Sequence, residues 1–358
     1  MKKTQKWAAA MMAMIMAAGL TACGGANSSK SGTTTTAATS TASSGETAAS
    51  DGEVYEFIYS GTVPDTHPMS VAFYEMKDEL EEKSSGRLIM SVYTNNTLGD
   101  SRANIEGMQG NSVQMGEVSS APLAIFTDKF MPMSLPFFFS DKQNAYDFCE
   151  SDFMNQLEDQ LASEIGVRPV GWFLNGERCL TNNVRAVDSP DDMKGMKIRV
   201  MENDIYLKTF EALGASPTTM SFAEVFTALQ QGTVNGQDNP TAITVSNKFY
   251  EVQKYFTDLH HVIDMAPILV SEEWYQSLPD DLKKIFDEAV VNCVERERSL
   301  MDENTESDYK TIATTCEVTR LTDDQRAAFK DSCNSVYDWF NGVYTDIDLQ
   351  SYIDAAGK

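Results

Sequence analysis

Residues 54–118 read VYEFIYSGTVPDTHPMSVAFYEMKDELEEKSSGRLIMSVYTNNTLGDSRANIEGMQGNSVQMGEV. The run Val54–Tyr59 alternates and is rich in β-branched and aromatic residues, the pattern of a strand. From His67-Pro68 the sequence turns helical, with Val71, Phe73, Tyr74 and Met76 as its apolar positions and Gly86 as the expected C′ stop. Arg87–Tyr93 is a second strand, Ser101–Gly110 a second helix and Val113–Val118 a third strand. Strands alternating with helices at this spacing predict βαβ units and a largely parallel sheet.

The same grammar restarts downstream. Val167–Trp172, Leu180–Asn183 and Met196–Met201 read as strands, and Ile205–Leu213 as a helix closed by Gly214. Ser221–Gln231 is an amphipathic helix with Phe222, Val225, Phe226 and Leu229 on one face, stopped by Gly232. After Pro279 come charged helices over 280–313 and about 322–343. Two βα units with a helical C-terminus predict an α/β protein of two lobes, and ligands favour the cleft between lobes.

Upstream, Lys2, Lys3 and Lys6 precede an apolar run, Trp7–Leu20, too short to span a membrane. The run ends in Leu20-Thr21-Ala22-Cys23-Gly24, which resembles a bacterial lipobox. Residues 1–22 are therefore read as a lipoprotein signal peptide and Cys23 as the lipidated N-terminus after cleavage. Residues 24–50 hold only three side chains other than Ser, Thr, Ala or Gly, namely Asn27, Lys30 and Glu46. Such a stretch cannot offset its ordering entropy by burial, so 23–52 is expected to be a tether, about 26–31 Å in root-mean-square span. The predicted address is extracytoplasmic, at the outer face of the membrane.

The 358 residues carry 53 acidic against 28 basic side chains, a formal charge of −25, and residues 1–52 hold only two of the acids. Such a field opposes binding to nucleic acid or to an anionic lipid surface. With three histidines and no HExxH, CxxC pair, GxSxG, GxGxxG or GxxxxGKS/T, no metal, cofactor or catalytic residue is expected. Five cysteines follow Cys23, namely Cys149, Cys179, Cys293, Cys316 and Cys333; they are expected to be buried free thiols, with a Cys316–Cys333 bridge as the alternative.

Residues 166–276 carry a specific resemblance. Gly171-Trp172, Asn175-Gly176-Glu177-Arg178 and Thr181-Asn182 precede the run from Asp191 to Val200, DDMKGMKIRV. Leu213 to Thr218, LGASPT, and Phe222 to Gly232, FAEVFTALQQG, come next. Val234 to Pro240, VNGQDNP, and Lys248 to Tyr255, KFYEVQKY, complete the series. Thr66-His67-Pro68, Leu98-Gly99 and Leu135 to Phe139 add weaker upstream echoes. Together these resemble the solute-binding subunit of tripartite ATP-independent (TRAP) transporters, of the four-carbon-dicarboxylate-binding type.

The resemblance implies a two-lobed periplasmic-binding-protein-like flytrap with a long helix bridging the lobes. One lobe would hold roughly 53–176 with a return near 263–300; the other would hold roughly 177–262 with the C-terminal helices. It implies an organic-acid ligand, such as malate, succinate, fumarate, glucuronate or galacturonate, and membrane permease subunits as partners. The family's hallmark arginine falls on Arg199, a second on Arg178, and the asparagine of its Gly-Gln-Glu/Asp-Asn-Pro motif on Asn239. Asp100-Ser101 stands where the family commonly has Gly-Glu, and Asp238 where it commonly has Glu.

The residue chemistry agrees. In the strand around Ile198-Arg199-Val200 the arginine points opposite to its neighbours, and an arginine fork matches a carboxylate with two parallel hydrogen bonds. Two cations in one cleft, Arg178 and Arg199, would offset the repulsive field of an acidic chain. His67, at the start of the first helix, is either a ligand contact or a helix-start residue. Trp172, Phe222 and Trp274 are expected to pack in the core or hinge. The rival reading, a secreted lyase or hydrolase of acidic sugars, needs a paired acid and base in the cleft.

Overall fold

The computed structural model describes residues 52–357. The predicted signal peptide, Cys23 and residues 24–50 lie outside them. In chain order the strands are β1 (Tyr55–Ser60), β2 (Leu88–Tyr93), β3 (Met115–Glu117), β4 (Val167–Glu177), β5 (Cys179–Asn182) and β6 (Lys197–Val200). Then come β7 (Ser216–Thr219), β8 (Gly236–Asn239), β9 (Tyr255–Thr257), β10 (Ile263–Ser271) and β11 (Glu317–Thr319). They form two sheets, ordered β2-β1-β3-β10-β4 and β11-β9-β5-β8-β6-β7, one in each lobe.

The expectation of a largely parallel sheet holds for β2-β1-β3, for β7-β6-β8 and for the edge pair β9-β11. Both sheets are mixed, because β10 runs antiparallel to β3 and β4, and β5 antiparallel to β8 and β9. The chain changes sheets at Arg178, between β4 and β5, and returns through residues 258–262. These crossings are tied together, since the Arg178 amide donates to the Val262 carbonyl at 2.9 Å and the His260 amide to the Arg178 carbonyl at 2.9 Å.

The first helix is Pro68–Lys83; its N-cap is His67, whose Nδ1 accepts from the Met69 amide at 3.2 Å. At its end Ser85 already takes the left-handed conformation, so Gly86 lies one place beyond the expected C′ position. The helix Asp280–Ile312 has 33 residues, or about 50 Å of rise. Its first half buries Leu282, Phe286, Ala289 and Val290 in the core beneath β1, β4 and β10. Its far end places Tyr309 and Ile312 against Cys179 and Phe256 of the second sheet. It bridges the lobes.

The predicted helix over 322–343 is two helices, Asp323–Ser332 and Asn334–Val343, which break at Cys333. There the amide turns to the Lys330 carbonyl three residues back. The C-terminal helices touch more than the second lobe. Tyr337 donates to the Pro136 carbonyl at 3.0 Å, Tyr352 to the Lys129 carbonyl at 2.9 Å, and Phe340 joins the core shared with Phe210. All five described cysteines are free and buried, so the Cys316–Cys333 bridge is not formed. Among the described residues no helix is long and apolar enough to cross a membrane.

Candidate functional site

Parallel strands leave their carboxyl ends at one edge of a sheet, and ligands of open α/β sheets bind there. Here the two parallel sets face one cavity. Thr62 and Val63 follow β1, Glu117 closes β3, and Asp100 and Ser101 open the helix after β2. Opposite stand Met201 and Glu202 after β6, Met220, Ser221 and Phe222 after β7, and Asn239 at the end of β8. Arg199 and Asn175 also line it, and the empty space, mouth included, is about 620 Å3. The Ser221 hydroxyl donates across it to Asp100 Oδ2 at 3.1 Å, joining the lobes.

Arg199 lies between Ile198 and Val200, and all three are buried. Its Nε and Nη2 donate to the Met220 carbonyl at 3.0 and 2.8 Å, while Nη1 is buried with no partner. The carbonyl takes one edge of the guanidinium and leaves the Nη1/Nη2 edge for a carboxylate, the end-on fork. Burial pushes the Arg199 pKa down to about 10, only partly offset by Asp238. The group remains charged at neutral pH. Arg199 is thus a desolvated cation with too few partners.

Arg178 differs. It is wholly buried and does not line the cavity. Its Nε donates to Asp238 Oδ2 at 2.6 Å and its Nη1 to Asp264 Oδ2 at 2.7 Å. Its Nη2 reaches the Asp238 carbonyl and, at 3.3 Å, Asn239 Oδ1. Burial opposes its charge, yet Asp238, Tyr206 and Asp264 hold its pKa above the ordinary value. Arg178 was expected as a second ligand-facing cation; the structure places it outside the cavity wall, paired with two carboxylates. Asn239 gains an acceptor contact from it, and Asn175 donates through Nδ2 to the same Asp264 at 2.8 Å.

Gly176 makes this turn possible. Its φ is +123°, and a Cβ there would sit 2.8 Å from the Pro240 Cβ. His67 does not line the cavity either, and its side chain caps the first helix. Burial pushes its pKa down to about 3. Trp172 and Trp274 are core residues, but Phe222 is part of the cavity wall.

Of the four ligand-binding candidates, the structure brings Arg199 and Asn239 to the cavity and leaves Arg178 and His67 outside its wall. Sequence reasoning missed Asn175, Glu117, Thr62 and Ser221. Glu117 is buried, and Tyr59 Oη, the Thr62 amide at 2.8 Å and Thr62 Oγ1 at 2.9 Å all donate to it. Burial raises its pKa against those donors. Placement at the carboxyl end of a strand was the available signal for Asn175 and Glu117. Among the described residues no group of three or more His, Cys, Asp or Glu is placed to hold a metal ion.

Two mixed sheets, a bridging helix and an interlobe cavity with an unpaired cation define a solute receptor of the periplasmic binding class. The profile of the bacterial extracellular solute-binding protein family 7 matches residues 59–342, and the chain belongs to that family. A solute-binding protein of Verminephrobacter eiseniae is 33% identical over 243 residues, 68% of this chain and 72% of that protein. The C4-dicarboxylate-binding periplasmic protein DctP of Vibrio cholerae is 30% identical over 81% of this chain and 87% of its own length. The sugar acid binding protein DctPAm of Advenella mimigardefordensis, solved in complex with galactonate, superposes with a TM-score of 0.82 at 26% identity, covering 85% of this chain and 98% of that one.

Proposed function

We propose that this chain captures a small organic acid in the interlobe cavity and delivers it to the membrane permease of a TRAP transporter. The observation that carries the reading is the buried, unpartnered Nη1 of Arg199 on the cavity wall. A desolvated donor on a cation is costly unless a ligand completes it, and a carboxylate does so with two charge-assisted bonds. Asn239 and Asn175 add neutral polar contacts. Galactonate in the DctPAm complex and the dicarboxylate in the name of the Vibrio cholerae relative support this ligand class.

Closure turns on the two crossings at Arg178 and 258–262, and the ligand shifts an open–closed equilibrium. The lobes divide near 176/177 and 262/263 on this reading. No bond is made or broken. Asp100 already caps the Ser101–Gln109 helix and Glu117 already accepts three hydrogen bonds, so neither is a free acid or base for a lyase or hydrolase. Lipidation of Cys23 and the tether over 24–50 keep the receptor at the outer membrane face. A Cys23→Ser variant should be released into the medium or periplasm, and retention in the membrane fraction would refute the anchor.

The test of the receptor reading is a thermal-shift screen of the purified chain against an organic-acid library, with mass spectrometry of the best ligand afterwards. A ligand at 100 times Kd should stabilise the fold by about 2.7 kcal/mol and be recovered unchanged. Stabilisation by no acid, or turnover beyond stoichiometry, would overturn the proposal.

A further inference from the structure

We infer that the cavity selects monocarboxylates bearing hydroxyl groups and rejects dicarboxylates of the same length. The inference rests on the organic-acid reading and narrows it. Among the described residues lining the cavity, Arg199 is the single cation, whereas Asp100, Glu117 and Glu202 bring three carboxylates. Asp100 Oδ1 accepts from the Ala103 amide at 3.1 Å and Oδ2 from the Ser221 hydroxyl at 3.1 Å. Glu117 is held by its three donors, and Glu202 is exposed beside Met201, at the carboxyl end of β6.

One carboxylate of the ligand therefore meets the Nη1/Nη2 edge of Arg199. A second would meet no cation and up to three like charges, which is how a site discriminates by repulsion. Hydroxyls suit what remains. The Asn175 amide is oriented by its donation to Asp264, which places Oδ1 as an acceptor, and that oxygen is buried without a partner. A carboxylate oxygen cannot satisfy an acceptor, but a hydroxyl can. Thr62, Ser101 and Ser119 extend the neutral polar lining, and Val63, Met69, Pro122 and Ile243 cover a carbon skeleton.

The experiment is titration calorimetry on the purified chain with two matched sets: erythronate, tartrate and butyrate at four carbons, and galactonate, galactarate and hexanoate at six. In the set that fits the cavity, the hydroxylated monocarboxylate should bind at least tenfold tighter than the dicarboxylate and than the unhydroxylated acid. Tartrate or galactarate binding as tightly as its monocarboxylate partner would overturn the selectivity. Butyrate or hexanoate binding as tightly would overturn the hydroxyl requirement. An Asp100→Asn, Glu202→Gln double variant, in which Asn keeps the helix cap, should narrow the monocarboxylate-to-dicarboxylate ratio at least threefold. An unchanged ratio would mean that these acids do not select; if the variant does not fold, the wild-type ratios decide. Failure here is separable from failure of the organic-acid reading: a dicarboxylate as tightest ligand in the screen sinks only the selectivity, and no bound acid sinks both.

Discussion

Two buried arginines near one another are partnered in opposite ways. Arg178, under the crossing between the sheets, spends its guanidinium on Asp238, Asp264 and Asn239. Arg199, on the wall of the cavity, has one backbone carbonyl and an unpartnered Nη1. Their pKa directions are opposite, raised for Arg178 by facing carboxylates and lowered for Arg199 by burial without enough of them. On the proposed reading, the paired charges hold the fold and the unpaired one awaits the ligand. Residue type alone does not separate the two roles.

The largest effect expected from breaking this contrast belongs to Arg178→Met. It would leave Asp238 and Asp264 buried without their cation, and breaking such a pair costs about 3–5 kcal/mol. A fall of that size in the urea unfolding free energy is expected; a change below about 1 kcal/mol would show that the network is not structural.

His67 offers a smaller test of the supporting side. Its neutral form is the one the fold accepts, with a folded pKa of about 3 against an ordinary value of 6.5. The unfolded chain thus binds a proton first as pH falls, so stability is full above about pH 7 and is lost from pH 6.5 downward. At pH 5 the loss from this group is about 2 kcal/mol. His67→Asn keeps a capping acceptor and should remove that share of the acid sensitivity in melts at pH 7.5 and 5. His260, pushed down to about 4 chiefly by burial, keeps its own share in the variant. Identical acid profiles for the two proteins would place the sensitivity elsewhere.

On the cavity side, Ser221→Ala removes the hydrogen bond to Asp100 that spans the lobes. A bond of this kind contributes about 0.5–1.5 kcal/mol, so ligand affinity should fall about two- to tenfold by calorimetry while the apo melt barely moves. Unchanged affinity would mean that the bond does not hold the closed form.

Much of the arrangement was legible before the structure. β1, β2 and β6, the first helix and the bridging helix all follow hydrophobic periodicity and clear punctuation. β10 escaped because Asp264 and Pro267 interrupt it, and proline argues against a central strand. It is central nonetheless, fully buried between β3 and β4, with register shifts at Asp264/Met265 and Ile268/Leu269 around the proline. β8 escaped because Gly236-Gln237-Asp238-Asn239 reads as a turn; all four are buried, and the side chains of Gln237, Asp238 and Asn239 find partners 56 to 61 residues away. The same limit explains Arg178. Its carboxylates are 60 and 86 residues away, and no local pattern pairs them. Arg199 and Asn239 were reached through a resemblance to a family, whereas Asn175 needed the geometry.

The central claim is that Arg199 is held for the ligand and not for the fold. Its most direct test is Arg199→Met, measured by urea unfolding without ligand and by calorimetry with the best acid from the screen. The account predicts an apo stability within about 1 kcal/mol of wild type, since the lost donors to the Met220 carbonyl are offset by removing a buried, under-partnered charge. Affinity should fall at least a hundredfold, the effect of losing two charge-assisted hydrogen bonds. Loss of 3 kcal/mol or more of apo stability, with affinity retained in the folded fraction, would contradict it and make Arg199 a second Arg178.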